Sequence, residues 1–191
     1  MITGIIMASG FSKRMKRNKL VLELDGSPVI ERVIKAIKES KVDNIIMVYR
    51  EKSVKEIGIR NGIKTIYNDR AELGQSQSMK LGVEHSPPET TAFMFFVGDQ
   101  PFLNAATINS LIEVFNEGKY PIVVPKYNGE KGNPVIFSSE LKGELLNIEG
   151  DKGGRSIIKE RTNDVKIVDF TNGTIGKDID TWEEYTIESS K

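Results

Sequence analysis

Near its start the chain places two cations, Arg14 and Lys19, just after three small residues, Ala8, Ser9 and Gly10. Small side chains let phosphate oxygens approach the main chain closely, so that its N–H groups can donate to them. The cations matter more than the loop. A charge pair near a protein surface is worth about 4 kcal/mol at 4 Å before desolvation, against roughly 0.3–1 kcal/mol for a helix N-terminus. Arg14 and Lys19 are therefore the expected holders of a polyphosphate, both exposed on a loop. The plainer alternative is a solvated basic turn, because Lys13, Arg14, Lys16, Arg17 and Lys19 crowd together.

The elements that must position these groups follow from the apolar pattern. Ile2, Ile5, Ile6 and Met7 form a nearly continuous apolar run with a β-branched bias, which predicts a strand covered on both faces and feeding the loop. Val29, Ile30, Val33, Ile34 and Ile37 recur at helical spacing behind Pro28, a residue suited to a first helical turn. Strands are predicted over Asn44 to Tyr49, Ile63 to Tyr67, Ala92 to Val97, Ile122 to Val124, Val135 to Phe137 and Val165 to Phe170. Helices are predicted over Ser53 to Arg60, Ser76 to His85, around Ile108 to Phe115, Leu141 to Leu146 and Ser156 to Arg161. Strands alternating with helices imply an α/β fold, a mostly parallel sheet covered on both faces, and ligands at the carboxyl ends of the strands.

That rule gives the second chemical motif its weight. The apolar strand FMFFV runs into Gly98, Asp99, Gln100 and Pro101, which sets a carboxylate on the same rim as the first loop. There it can hold Mg²⁺ against phosphate oxygens, unless it is an ordinary turn or the cap of the next helix. An acidic cluster from Lys177 to Tyr185 supplies a second carboxylate in Asp180, although Asp180 or Thr181 could equally cap a terminal helix. Gln75 and Ser76 in the Gly74-to-Ser78 stretch can read a base edge or cap a helix. Asn133 contacts a ligand or only shapes its turn. The Gly150-to-Arg155 segment lacks the Gly-Lys-Ser/Thr ending of a Walker A loop, but Arg155 can meet an anion.

Composition sets the bounds. The 191 residues suffice for one sizeable core, no linker divides them, and a single domain over 1–191 is expected. With 27 basic and 27 acidic residues the balance gives no reason to expect nucleic acid or a membrane as partner. Cysteine is absent, which excludes disulfides, thiolate metal sites and a cysteine nucleophile. No charged region precedes the first apolar run and no segment has ~18 uninterrupted apolar residues, so a cytoplasmic protein is expected. His85, the only histidine, falls near a helix end beside Ser86-Pro87-Pro88, where a catalytic role is not expected. Motifs of hydrolase triads, zinc peptidases and dinucleotide oxidoreductases are missing.

Taken together and in order, MASGFSKRM with Lys19, GQSQS, GDQP, GNPVIF, GDKGGR and DIDTWEEY resemble the molybdenum cofactor cytidylyltransferases, within the wider nucleotidyltransferases that activate sugars and cofactors. The resemblance spans almost the whole chain. It implies a Rossmann-like, three-layer nucleotidyltransferase fold with a mixed, mostly parallel sheet. It also implies transfer of CMP from CTP to the phosphate of molybdopterin, with pyrophosphate released and Mg²⁺ required. By resemblance, Ala8, Ser9, Gly10, Arg14 and Lys19 hold the triphosphate, Gln75 and Ser76 lie near the base, and Asp99 and Asp180 serve the metal. Asn133 and the Gly150-to-Arg155 loop face the pterin, and an apo molybdenum enzyme is a possible recipient of the product. Two positions depart from the family pattern: Lys16 stands where glycine is usual, and Asn133 where histidine is common. Rival readings are guanylyl transfer to the same acceptor, formation of a nucleotide sugar, and a non-enzymatic escort that delivers the finished cofactor.

Overall fold

The computed structural model describes residues 1–12, 14–15 and 17–190, and of Lys152 only the backbone. Lys16, the departure from the family pattern, lies outside the described residues. In chain order the elements are β1 (Ile2–Ala8), the short strands β2 (Glu23–Leu24) and β3 (Ser27–Pro28), α1 (Val29–Lys38), β4 (Asn44–Tyr49), α2 (Lys52–Arg60) and β5 (Lys64–Tyr67). They continue with α3 (Gln75–Glu84), β6 (Ala92–Val97), α4 (Ala105–Asn116), β7 (Ile122–Tyr127), β8 (Glu130–Lys131) and β9 (Val135–Ser138). The last are α5 (Lys142–Asn147), α6 (Arg155–Glu160), β10 (Val165–Phe170) and α7 (Trp182–Ser189). The main sheet runs β10-β7-β9-β6-β1-β4-β5, with β8 paired to β7, while β2 and β3 form a separate hairpin.

Strand side chains alternate between faces, and the two helical layers sort them accordingly. Ile6, Met47, Met94 and Phe96 face a layer carrying Val33, Ile34 and Ile37 of α1, Val54 and Ile57 of α2, and Ile108 and Leu111 of α4. Their neighbours Ile5, Ile46, Val48, Phe93 and Phe95 face Met79 and Val83 of α3, Leu145 of α5 and Ile157 of α6. Burying each large aliphatic side chain contributes about 1.5–3 kcal/mol, an upper figure because unfolded chains already hide part of their surface. This is the expected three-layer α/β arrangement with a mixed, mostly parallel sheet.

β1 lies parallel to both β4 and β6, with Met7 opposite Val48 and Val97. The loops leaving β1 and β6 therefore emerge side by side at the carboxyl edge. The exceptions to parallel order are β8, antiparallel to β7, and β9, antiparallel between β6 and β7. Their direction follows from the tight turn that joins β7 to β8, where Asn128 and Gly129 both have positive φ, 47° and 92°, and pair Tyr127 with Glu130; β9 continues along β7 the same way. Pro28 sits one residue earlier than expected, as the N-cap of α1 rather than its first helical residue.

Candidate active site

Three aspartates converge at the carboxyl edge. Asp99 follows β6, and Asp178 and Asp180 lie just before α7; one carboxylate oxygen from each falls within 4.8 Å of the others. The convergence is held by the main chain, since the N–H of Ile179 donates to the carbonyl of Asp99 at 3.1 Å. Ile179 is fully buried with Leu24 and Val29. An extended segment that buries its middle residue sends the residues on either side the other way. Asp178 was not expected as a member of the cluster, although the Asp-Ile-Asp spacing carried that signal.

The two cations meet the same aspartates. Lys19 Nζ lies 2.6 Å from Asp99 Oδ2 and also pairs with Asp180 Oδ1, while Arg14 Nη1 is 3.1 Å from Asp180 Oδ2. Arg14 is 73% exposed, as expected, but the Lys19 side chain is only 14% exposed. That corrects the expectation of a solvated lysine, and the physical reason is the pair of carboxylates that replaces its water. Burial works to lower the Lys19 pKa, but Asp99 and Asp180 outweigh it and the net shift is upward, so the ammonium stays charged at neutral pH. Loss of hydration, then the charges of Asp99 and Asp180, raise the pKa of Asp178.

Neither Asp99 nor Asp180 is a helix cap; of the capping alternatives, the one that holds is Thr181. Asn104 caps α4, its side chain accepting from the N–H of Thr107 at 2.9 Å, which leaves Asp99 without that task. Thr181 caps α7 in a reciprocal box with Glu184, whose carboxylate accepts from the N–H groups of Asp180 and Thr181. The Asp180 side chain is thereby free to face Lys19. Buried Asp99 Oδ1 has no hydrogen-bond partner among the described residues. An orphaned buried carboxylate oxygen beside two further carboxylates is a donor set suited to a hard divalent cation.

Two cavities meet at Asp99. The first, about 420 Å³, is lined by Ser9, Gly10, Arg14, Lys19, Gln75, Ser78, Asp151 and Asp180 as well as Asp99. The second, about 510 Å³, is lined by Gln75, Asp99, Asn133, Arg155 and Asp178, with a floor of Phe95, Val124 and Phe137 and further cations in Lys131 and Lys159. The structure thus brings together most of the residues singled out from the sequence. Ala8 lies buried at the end of β1, behind the cavity wall. Ser76 is fully buried and its hydroxyl has no partner among the described residues; Ser78, two residues further on, lines the cavity instead. The Gly150-to-Arg155 loop is shared, with Asp151 on the first cavity and Gly154 and Arg155 on the second. Tyr127, its pKa raised by burial, donates to the carbonyl of Asn133 at 2.9 Å and fixes that turn. His85 ends α3 as expected, exposed and with its Nδ1 2.9 Å from the Leu81 carbonyl oxygen.

Comparison with known proteins identifies the fold and the family. Purine catabolism protein PucB of Bacillus subtilis (strain 168) is 27% identical over 196 residues, which cover 96% of this chain and 94% of PucB. The crystal structure of Rv0371c from Mycobacterium tuberculosis H37Rv superposes with a TM-score of 0.86 at 24% identity, over 100% of this chain and 98% of that one. A crystal structure of Rv0371c in complex with manganese does so with a TM-score of 0.83 at 23% identity, with the same coverage. Those likenesses give the fold. The model of the MobA-like NTP transferase domain matches residues 4–165, most of the chain, and the protein belongs to that family of nucleotidyltransferases.

Proposed function

We propose that this protein transfers CMP from CTP to the phosphate of molybdopterin, releasing pyrophosphate and forming molybdopterin cytosine dinucleotide. The observation that carries the reading is the meeting of two cavities at one carboxylate: the first has the phosphate-holding cations, and the second has an apolar floor rimmed by Lys131, Arg155 and Lys159. An acceptor with a flat heterocyclic body and an anionic phosphate fits the second cavity, and a nucleoside triphosphate fits the first.

In the reaction an oxygen of the acceptor phosphate attacks the α-phosphorus of CTP. The new P–O bond forms as the bond to the bridging oxygen breaks, and pyrophosphate leaves with that electron pair. No protein nucleophile is needed, because such transfers depend on positioning and charge neutralisation. Arg14 and Lys19 neutralise the triphosphate and the departing pyrophosphate. Asn133 and Arg155 hold the acceptor, and Gln75, on the wall between the cavities, faces both substrates. Asp99, Asp178 and Asp180 would hold Mg²⁺, which when bound supplies further charge neutralisation at the phosphates.

The test is incubation with molybdopterin, Mg²⁺ and each nucleoside triphosphate in turn, with pyrophosphate measured and the product identified by mass. The expected product is the cytosine dinucleotide. A guanine dinucleotide, or turnover only with a sugar phosphate, would replace the acceptor or base named here; absence of pyrophosphate with every nucleotide would leave the escort reading in its place.

A further inference from the structure

A buried hydrogen-bond network lies on the flank of the first cavity away from the aspartates. The sheet order puts β5 and β4 on one side of β1 and β6 on the other, so Asn68, which follows β5, stands opposite Asp99. Asn68 is 1% exposed. Its Nδ2 lies 3.0 Å from Ser9 Oγ and 3.2 Å from Ser78 Oγ, and the two hydroxyl oxygens are 2.6 Å apart. The amide has one orientation, because its Oδ1 accepts the main-chain N–H of Arg70 at 3.1 Å, a group that can only donate. Nδ2 is therefore the end that faces the serines.

Counting protons then leaves one over. Both serine oxygens accept from Asn68, and the two hydroxyls own two protons, of which one is used in the bond between them. The other has no acceptor in hydrogen-bond contact among the described residues, and both serines line the first cavity. Facing the cavity, that O–H donates to solvent until a ligand displaces the water, and a ligand without an acceptor there leaves it unpaired. Asp151 lines the same cavity, where a carboxylate can only accept when ionised. A donor and an acceptor lining one cavity suit the N3 acceptor and N4 amino donor of cytosine. Uracil, with N3–H and O4, presents the reverse pattern.

We infer that Asn68 is a positioning residue for base selection: by donating to both Ser9 and Ser78 it obliges their spare hydroxyl proton to point into the cavity, where it donates to N3 of the cytosine ring. Asn68 itself touches no substrate. The inference rests on the reading of the first cavity as the nucleotide site.

The experiment is calorimetric binding of CTP, UTP, 3-deaza-CTP and 2′-deoxy-CTP, each with Mg²⁺, to the wild-type protein and to Asn68→Asp. In the wild type, 3-deaza-CTP, which has C–H in place of N3, should bind about tenfold more weakly than CTP, the size of effect expected for one lost hydrogen bond. UTP should bind at least as weakly, and 2′-deoxy-CTP within about threefold of CTP. Asn68→Asp keeps the shape but can accept both serine protons, so CTP and 3-deaza-CTP should become equal within about twofold, with thermal unfolding confirming a folded protein. A merely structural asparagine would weaken all four nucleotides together. Equal wild-type binding of CTP and 3-deaza-CTP overturns the inference even if the variant does not fold, and so does a loss confined to 2′-deoxy-CTP, which would place the donor on the ribose. Failure of every nucleotide to bind would instead remove the nucleotide reading on which the inference stands.

Discussion

Lys19 and a metal ion would compete for the same oxygens. Its ammonium pairs with Asp99 and Asp180, two of the three carboxylates that could hold a cation. Replacing it by a neutral residue removes a positive charge worth about 4 kcal/mol at 4 Å before desolvation. We expect Lys19→Gln to tighten Mn²⁺ binding in the absence of nucleotide by at least about tenfold, read by calorimetry, while turnover falls roughly 10²–10³-fold through loss of transition-state charge stabilisation. Unchanged metal affinity would mean that lysine and metal do not share ligands. Arg14→Ala should lower turnover by a similar factor with little change in thermal stability, because the side chain is exposed. Asp99→Asn and Asp180→Asn should each raise the Mg²⁺ needed for half-maximal rate, with His85→Ala as a control that leaves the Mg²⁺ curve where it was. At this scale the sequence was readable where charge type coincided with the end of an apolar strand, as at Asp99. It was not readable for the burial of Lys19, which depends on Asp180, 161 residues further along the chain.

At the scale of elements, the first turn of α7 clamps the loop after β1 at Met15 and the β2–β3 hairpin at Glu23. The Trp182 indole N–H donates to the carbonyl of Met15 at 2.9 Å, and Tyr185 Oη donates to the carbonyl of Glu23 at 2.6 Å. Trp182 is 41% exposed and stacks edge-on against Tyr185, so Trp182→Phe keeps an aromatic contact and loses only the N–H donor. We expect nucleotide KM to rise about 3–10-fold, corresponding to roughly 0.5–1.5 kcal/mol, with thermal unfolding little changed. An unaltered KM would detach the clamp from substrate binding. On the opposite side, α3 lies so close to β1 that a Cβ on Gly82 would come within 2.3 Å of Ile5 Cγ2. Gly82→Ala must therefore push the helix that carries Gln75 and Ser78, and should destabilise the fold by about 1–3 kcal/mol in denaturant unfolding. The parallel order of β1, β4 and β6 was legible because helical and strand periods alternate there. The resemblance implied a mixed sheet, but which strand runs backwards was not legible in Val135 to Phe137, an apolar run that fits either direction; the Asn-Gly turn at 128–129 carried that signal.

For the whole molecule, the proposed cytidylyl reading differs from its guanylyl rival in which base the first cavity admits, since on that reading Arg14, Lys19 and the aspartates would act on the phosphates common to all nucleotides. The sequence made the fold and the charged groups of the carboxyl edge recognisable; Ser76, expected near a base, is fully buried, and the hydroxyl on the cavity wall belongs to Ser78. Helical phase explains the difference, for near the start of α3 a shift of two residues carries a side chain to another face. The first cavity is compact, about 420 Å³ for the triphosphate and its nucleoside together, and the space near Gly74 is narrowed by Asp151, whose Oδ1 would lie 2.5 Å from a Cβ on that glycine. A purine has less room there than a pyrimidine. Buried polar groups left unpaired by a wrong base also discriminate more strongly than the ~1–3 kcal/mol available from one apolar methylene. We therefore expect molybdopterin-dependent pyrophosphate release with CTP at a kcat/KM at least about 100-fold above that with GTP, a barrier difference of roughly 2.7 kcal/mol. Equal or better use of GTP would overturn the cytidylyl reading and leave the nucleotidyltransferase intact, because the phosphate-binding groups do not depend on the base.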